Sequence, residues 1–282
     1  IILFLLYGWR LNNFNFMRLA YAHSIAQKLR NDKWNSRIEF AMHGEPSMNP
    51  DFVAIIATFR RCLPKNQLML TTNGGGFLRK PRVEANVLAI FRAGLNTLAF
   101  DDYKSVNIVP KIREAVWKEP LKSELGIMNV KVYEYPSEPE GNPHHRLGSH
   151  MDRRITFIQD ISVANAGTHS TLNNHAGAAF APNSKGQGKR CAKPFRELAI
   201  RYNGNVAVCC NDWRGEYKTG NVVEDGLEEV WNGLAMKAAR RYLYHGMRTI
   251  RPCLGCDAVS YRPGLLPDHR GRDTLLEPDS EA

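Results

Sequence analysis

Apolar positions along the first 160 residues alternate between two periods. Met17–Arg30 reads as a helix, with Leu19, Ala22, Ile25, Ala26 and Leu29 on one stripe. Arg37–Met42 is a short β-like run. Asn49 then caps a helix with Pro50 in its first turn. Phe52, Ile55, Ile56, Phe59 and Leu63 follow at helical spacing, and Pro64 ends that helix. Gln67–Asn73 is the next strand, broken by Gly74-Gly75-Gly76. A helix over Val83–Arg92 and a strand over Thr97–Tyr103 come next. Val109, Ile112 and Val116 mark a further helix, with Pro110 tolerable in its first turn. Val130–Tyr135 and Arg154–Gln159 read as two more strands. Such alternation implies parallel β-strands with covering helices, in a barrel or an open sheet.

The pattern then changes. Residues 136–150 are a polar loop rich in Pro, Gly and His, and residues 161–190 read as a long loop or linker. Leu198–Ile200 and Asn205–Val208 flank Asn203-Gly204, a dipeptide that favours hairpins. Leu227, Val230, Trp231 and Leu234 form a helical stripe. Val259–Ala282 is Pro-rich, polar and aperiodic, as expected of a disordered tail. The apolar run Ile1–Tyr7 is too short for a membrane helix and lacks the flanks of a signal peptide, so it reads as a buried strand. No internal repeat is present.

At 282 residues the length predicts about two domains and a core large enough to need no disulfide scaffold. Charged residues make up 23%, which argues against a wholly disordered chain. The net charge of +10 is spread: +7 over residues 1–184, +5 over 185–258 and −2 over 259–282. No basic arm exists, so a solvated surface is favoured over a nucleic-acid interface.

Cysteine placement carries the strongest chemistry. Cys62 stands alone on the apolar side of a helix and reads as core packing. The other five fall between residues 191 and 256. Cys253-x-x-Cys256 has the spacing that turns two sulfurs toward one metal centre. Cys191 and the adjacent Cys209 and Cys210 are the candidates to complete a four-thiolate set. Neighbours on an extended chain point to opposite faces, so one of Cys209 and Cys210 is expected to ligate. A single C-x-x-C with two scattered partners tilts toward an iron–sulfur cluster, and the spacing leaves zinc open. His144, His145 and His175 lie in polar loops and read as surface.

A second constellation sits at predicted strand ends. The strand Arg37–Met42 runs into His43-Gly44-Glu45-Pro46, the next ends at Thr72-Asn73-Gly74, and the third at Asp101-Asp102. Carboxyl ends of parallel strands face the ligand side of an α/β domain. Gly44 lets backbone approach a ligand and Pro46 stiffens the loop that holds Glu45. Glu45, Asn73 and Asp101 therefore form a polar rim for a small molecule.

The string Glu39-Phe40-Ala41-Met42-His43-Gly44-Glu45-Pro46, followed by Asn49-Pro50-Asp51-Phe52 and Thr72-Asn73-Gly74, resembles the radical S-adenosylmethionine (SAM) enzymes. His43 stands where that family has a first Gly. Downstream, Cys191-x-x-Pro194-Phe195, Asn203-Gly204-x-Val206-x-x-Cys209-Cys210, Gly220-Asn221, Val230-Trp231-Asn232 and Cys253-x-x-Cys256-Asp257 resemble the SPASM/twitch extension. The resemblance implies an α/β fold: a partial (β/α)6 TIM-like barrel, then a small α+β cysteine-rich domain. The expected boundaries are 1–185 for the radical SAM core, N-terminally incomplete, 186–258 for the SPASM/twitch domain and 259–282 for the tail.

The chemistry implied is reductive cleavage of SAM to a 5′-deoxyadenosyl radical, which abstracts a hydrogen from a peptide or small-molecule substrate. Glu45, with Gly44 and Pro46, would hold the SAM amino group, and Asn73 and Asp101 would meet the ribose or carboxylate. Cys191, Cys209 or Cys210, Cys253 and Cys256 would hold an auxiliary 4Fe–4S cluster. The implied partner is a one-electron reductant such as flavodoxin or ferredoxin, in a reducing cytoplasm with no membrane. No cysteine lies between Ile1 and Arg61, where the signature Cys-x-x-x-Cys-x-x-Cys of the catalytic cluster belongs, so that motif is expected at or just upstream of Ile1. The adenine-facing glycine pattern of the fifth strand is not evident in Val130–Tyr135. The alternative reading is a catalytically inactive relative, or a zinc or iron–sulfur module that binds an anionic partner such as RNA.

Overall fold

The computed structural model describes residues 2–3, 6–7, 15–41, 44–102, 107–142, 149, 151–159, 174–177 and 181–258. Met42, His43, His144, His145, most of the expected linker and the expected tail lie outside these residues, as does the burial of Ile1–Tyr7. The chain divides into two compact units, with main bodies Leu3–Thr171 and Leu172–Ala282. Among the described residues no helix is long and apolar enough to cross a membrane.

The first unit opens with short strands β1 (Ile2–Leu3), β2 (Leu6–Tyr7) and β3 (Asn15–Phe16), of which β2 and β3 pair antiparallel. Its centre is a five-stranded parallel sheet in the order β4 (Ile38–Phe40), β5 (Leu68–Thr72), β6 (Thr97–Asp101), β8 (Arg153–Ile158) and β7 (Val130–Tyr135). All carboxyl ends therefore lie along one edge. Helices α1 (Leu19–Asn31), α2 (Phe52–Cys62), α3 (Val83–Arg92), α4 (Val109–Trp117) and α5 (Leu121–Ile127) supply the connections.

Period-two alternation decides which face is covered. Phe40, Leu70, Phe100 and Phe157 share one face in register. Phe40 meets Phe59 of α2 edge-on at 5.4 Å, and Phe100 stacks on Phe157 at 5.4 Å. The opposite face carries Glu39, Thr71, Thr97, Asp101, Arg154 and Thr156, a polar row that sequence periodicity alone does not announce.

Several expectations shift. Asn49 and Pro50 do not begin α2. Pro46–Met48 forms a 3₁₀ turn first, and Asn49 accepts the Asp51 amide at 2.9 Å while donating to the Met17 carbonyl at 3.0 Å. The stripe Leu227–Leu234 is not one helix. It breaks at Asn232-Gly233 into α7 (Leu227–Trp231) and α8 (Leu234–Tyr244), leaving Leu234 80% exposed. Leu19 is likewise exposed rather than part of the buried stripe of α1.

The second unit holds a small antiparallel sheet of β9 (Ala199–Ile200), β10 (Asn205–Ala207) and β11 (Lys218–Asn221). Its first turn needs Gly204, at φ +84°. The one-turn helices α6 (Lys193–Arg196) and α9 (Arg251–Leu254) flank it in sequence. Arg240 of α8 lies over the Trp231 ring at 3.9 Å and donates to the carbonyls of Pro194 and Trp231 at 2.9 and 2.7 Å, which ties α6, α7 and α8 together.

Candidate functional site

The loop after β4 is organised by one carboxylate. Gly44 takes φ +135°, a conformation L side chains rarely adopt, and Pro46 starts the 3₁₀ turn. Glu45 Oε1 accepts from the Ser47 amide at 2.9 Å, from the Ser47 hydroxyl at 2.6 Å and from the Thr72 hydroxyl. Its Oε2 accepts from the Asn73 amide at 2.7 Å. The hydroxyls of Thr72 and Ser47 in turn accept the amides of Gly74 and Gly76, each at 2.9 Å. Oε1 is thereby saturated, whereas Oε2 keeps capacity for one more donor. Gly76 is required by space: a Cβ there would stand 2.0 Å from the Ser47 carbonyl oxygen.

Asp101, the last residue of β6, shares this edge. Burial, and then the charges of Glu45 and Glu39, raise its carboxyl to about 7. Glu39 is itself paired with Arg37 at 3.3 Å. Asp102 turns to the other face, where Arg113 reaches it at 3.7 Å and Glu134 at 3.0 Å. The predicted residues Gly44, Glu45, Pro46, Asn73 and Asp101 thus fall on one edge. Asn73 engages Glu45 through its backbone amide, and its side-chain oxygen accepts the Gly75 amide at 2.8 Å. Ser47 carries no sequence signal, and Thr72 and Glu39 stand in the sequence motifs without a site role, since lone Ser, Thr and Glu carry no spacing signal.

The second constellation is wholly within the second unit. Cys191, Cys209, Cys210, Cys253 and Cys256 are all buried free thiols. Cys191 is pinned by its amide to the Leu243 carbonyl at 3.1 Å. Cys191 and Cys253 pack with Leu243 and Ile250, and Cys209 packs with Val208, Ala239 and the same Ile250. The Cys253–Cys256 turn is braced by Asn174, which donates through its side chain to the Gly255 carbonyl at 2.7 Å and through its backbone amide to Asp257 Oδ1 at 2.7 Å. Cys210 faces a different neighbourhood: Lys193 Nζ donates to its sulfur at 3.0 Å and its amide donates to Glu197 at 2.7 Å.

Burial first, and then the charges of sister cysteines, push the thiols of Cys191, Cys209 and Cys253 upward, Cys253 to about 12. Cys191 feels Cys256, Cys209 feels Cys210 and Cys253, and Cys253 feels Cys191 and Cys256. Mutually repelling thiolates in a dry pocket are a donor set that a cationic metal centre relieves. Among the described residues no three His, Cys, Asp or Glu side chains close around a single ion. His175 departs from the surface expectation. It is half-buried with its ring 4.4 Å from that of Trp213, and burial lowers its imidazole to about 4.

Residues 191–257 match SPASM, an iron–sulfur cluster-binding domain. The fold is similar to that of a radical SAM enzyme, BtrN, solved in complex with AdoMet and 2-DOIA: TM-score 0.63, 15% identity, 92% of each chain covered. It is also similar to BtrN in an open conformation, with TM-score 0.56, 13% identity and 91% of each chain covered. No curated protein sequence matches the chain. The chain thus has the mixed α/β fold of radical SAM proteins followed by a SPASM domain.

Proposed function

We propose that this chain binds SAM at the Glu45 edge and an auxiliary 4Fe–4S cluster at Cys191, Cys209, Cys253 and Cys256, as the core of an oxidoreductase acting on a peptide or small-molecule substrate. The observation that carries the reading is the gathering of buried free thiols inside the stretch that matches an iron–sulfur domain. SAM, when reductively cleaved, supplies hydrogen-atom abstraction. The residues do the holding. Glu45 Oε2 has a lone pair for an ammonium group, and Asp101 and Glu39 add negative charge beside it. The polar row Thr71, Thr97, Arg154 and Thr156 continues from that edge across the same sheet face and offers hydrogen bonds to a substrate.

Cys209 is favoured over Cys210 because Cys209 shares Ile250 with Cys191 and Cys253, whereas the Cys210 sulfur is engaged by Lys193. Flavodoxin or ferredoxin in a reducing cytoplasm suits such a cluster as electron donor.

Anaerobic reconstitution tests the reading. The expected result is about four irons and four sulfides per chain, lost in Cys209→Ala and retained in Cys210→Ala. Stoichiometric zinc without sulfide overturns it. In equilibrium dialysis with SAM, Glu45→Gln should weaken binding about tenfold, the loss of one charge-assisted hydrogen bond. Cys62 is the only cysteine ahead of Cys191, so the 282-residue chain is expected to bind SAM without forming 5′-deoxyadenosine.

A further inference from the structure

Arg248 is 2% exposed and is among the largest wholly buried side chains. Its guanidinium donates to two backbone carbonyls, Lys189 through Nε at 3.1 Å and Ala258 through Nη2 at 3.0 Å. Among the described residues no carboxylate pairs with it, whereas Lys193 pairs with Glu197 and Arg214 with Glu216. An arginine does not deprotonate to escape burial. Carbonyl oxygens satisfy its N–H groups but leave the charge uncompensated, at a cost of several kcal/mol per buried ion. A buried cation so placed calls for a buried anion.

The cysteine centre provides one. The two carbonyls that hold the guanidinium belong to Lys189, two residues before Cys191, and Ala258, two residues after Cys256, so the charge is fixed against both chain segments that carry these cysteines. The turn at Gly186 closes the arrangement from the other side: a Cβ there would stand 2.2 Å from the Cys256 carbonyl oxygen and 3.1 Å from Arg248 Nη1. The other charges facing the cysteines differ in kind. Lys193 is already balanced by Glu197 at 3.7 Å. Asp212, beside Cys253, is buried and spends its carboxylate on the Glu216 and Tyr217 amides at 2.9 and 3.1 Å.

We propose that Arg248 is a positioning residue of the cysteine centre, a fixed buried counter-charge that raises the reduction potential of the iron–sulfur cluster bound there. This rests on the cluster reading above. Four thiolates make such a cluster anionic, and reduction adds a further electron, so a fixed cation nearby favours the reduced form.

The test is an EPR-monitored redox titration of the reconstituted full chain. Arg248→Gln should lower the midpoint, with the reduction equilibrium constant falling about tenfold, or ~59 mV for one electron. Arg248→Lys should keep the wild-type midpoint. An Arg248→Gln chain with a full cluster and an unchanged midpoint overturns the proposal. If Arg248→Gln takes up no cluster, Arg248→Lys decides. Recovered iron content and midpoint support a charge role, and failure to recover overturns it in favour of a purely structural fork. A wild-type chain that holds no iron and sulfide overturns the cluster reading itself, before any midpoint is read.

Discussion

At the scale of the residue, the chemistry turns on what each carboxylate and thiol meets. Asp101 is the clearest case for pH. Its folded pKa of about 7 lies above the ordinary value of 3.8, so the folded chain binds the extra proton between those values. Stability is therefore fullest near pH 4 and falls as pH rises to about 7. Asp101→Asn should remove that slope, raising stability at pH 8 by on the order of 4 kcal/mol and leaving it unchanged near pH 4; urea unfolding at the two pH values reads it. Gly44, Glu45 and the five clustered cysteines were legible from residue type and spacing. Ser47 and Thr72 were not, because their roles exist only once the loop after β4 and the end of β5 lie side by side. Arg248 was equally illegible. Nothing in the run Gly246-Met247-Arg248-Thr249 distinguishes a buried counter-charge from an exposed arginine.

At the scale of the element, strands and helices of the first unit follow their apolar periods closely, and the departures have local causes. α2 starts at Phe52 because Pro46 first nucleates a 3₁₀ turn. α7 stops at Trp231 because Gly233 turns into extended backbone, φ −65° and ψ 155°, to cap α8. The β4 and β5 loops interlock through Gly76, whose missing Cβ admits the Ser47 carbonyl. Gly76→Ala should therefore cost about 1–3 kcal/mol through overpacking, seen as a lowered denaturation midpoint. Phe59→Ala, which removes the ring that meets Phe40, should cost about 3–5 kcal/mol. A Phe59→Ala loss under 1 kcal/mol would contradict the assigned covering of the sheet by α2.

At the scale of the whole molecule, two compact units divide the work: a strand edge rich in carboxylates in one, a sulfur-rich centre in the other. If the centre is completed by a cluster, its removal should loosen the second unit selectively. Hydrogen exchange on reconstituted and chelated chains should show β9, β10, α8 and α9 losing protection while β4, β5 and β6 keep theirs. Equal loss in both units would argue that the centre stabilises the whole chain at once. The net charge of +10 is not gathered into a patch by either unit's sequence, which leaves the acidic edge as the first unit's marked electrostatic feature.

Sequence by itself determined the parallel α/β character of residues 17–160, the change of architecture after residue 190 and the sulfur-rich chemistry of the second unit. These rest on period, turn residues and cysteine spacing, all local along the chain. Tertiary structure decided the rest. It placed β8 between β6 and β7, a pairing that depends on which strand edges meet after the helices pack. It gave Cys209 and Cys210 different neighbours, because α6 presents Lys193 to one sulfur while Ile250 covers the other. It buried Arg248 with carbonyl oxygens alone, an imbalance of charge that no local pattern encodes and that only the surroundings of a side chain create.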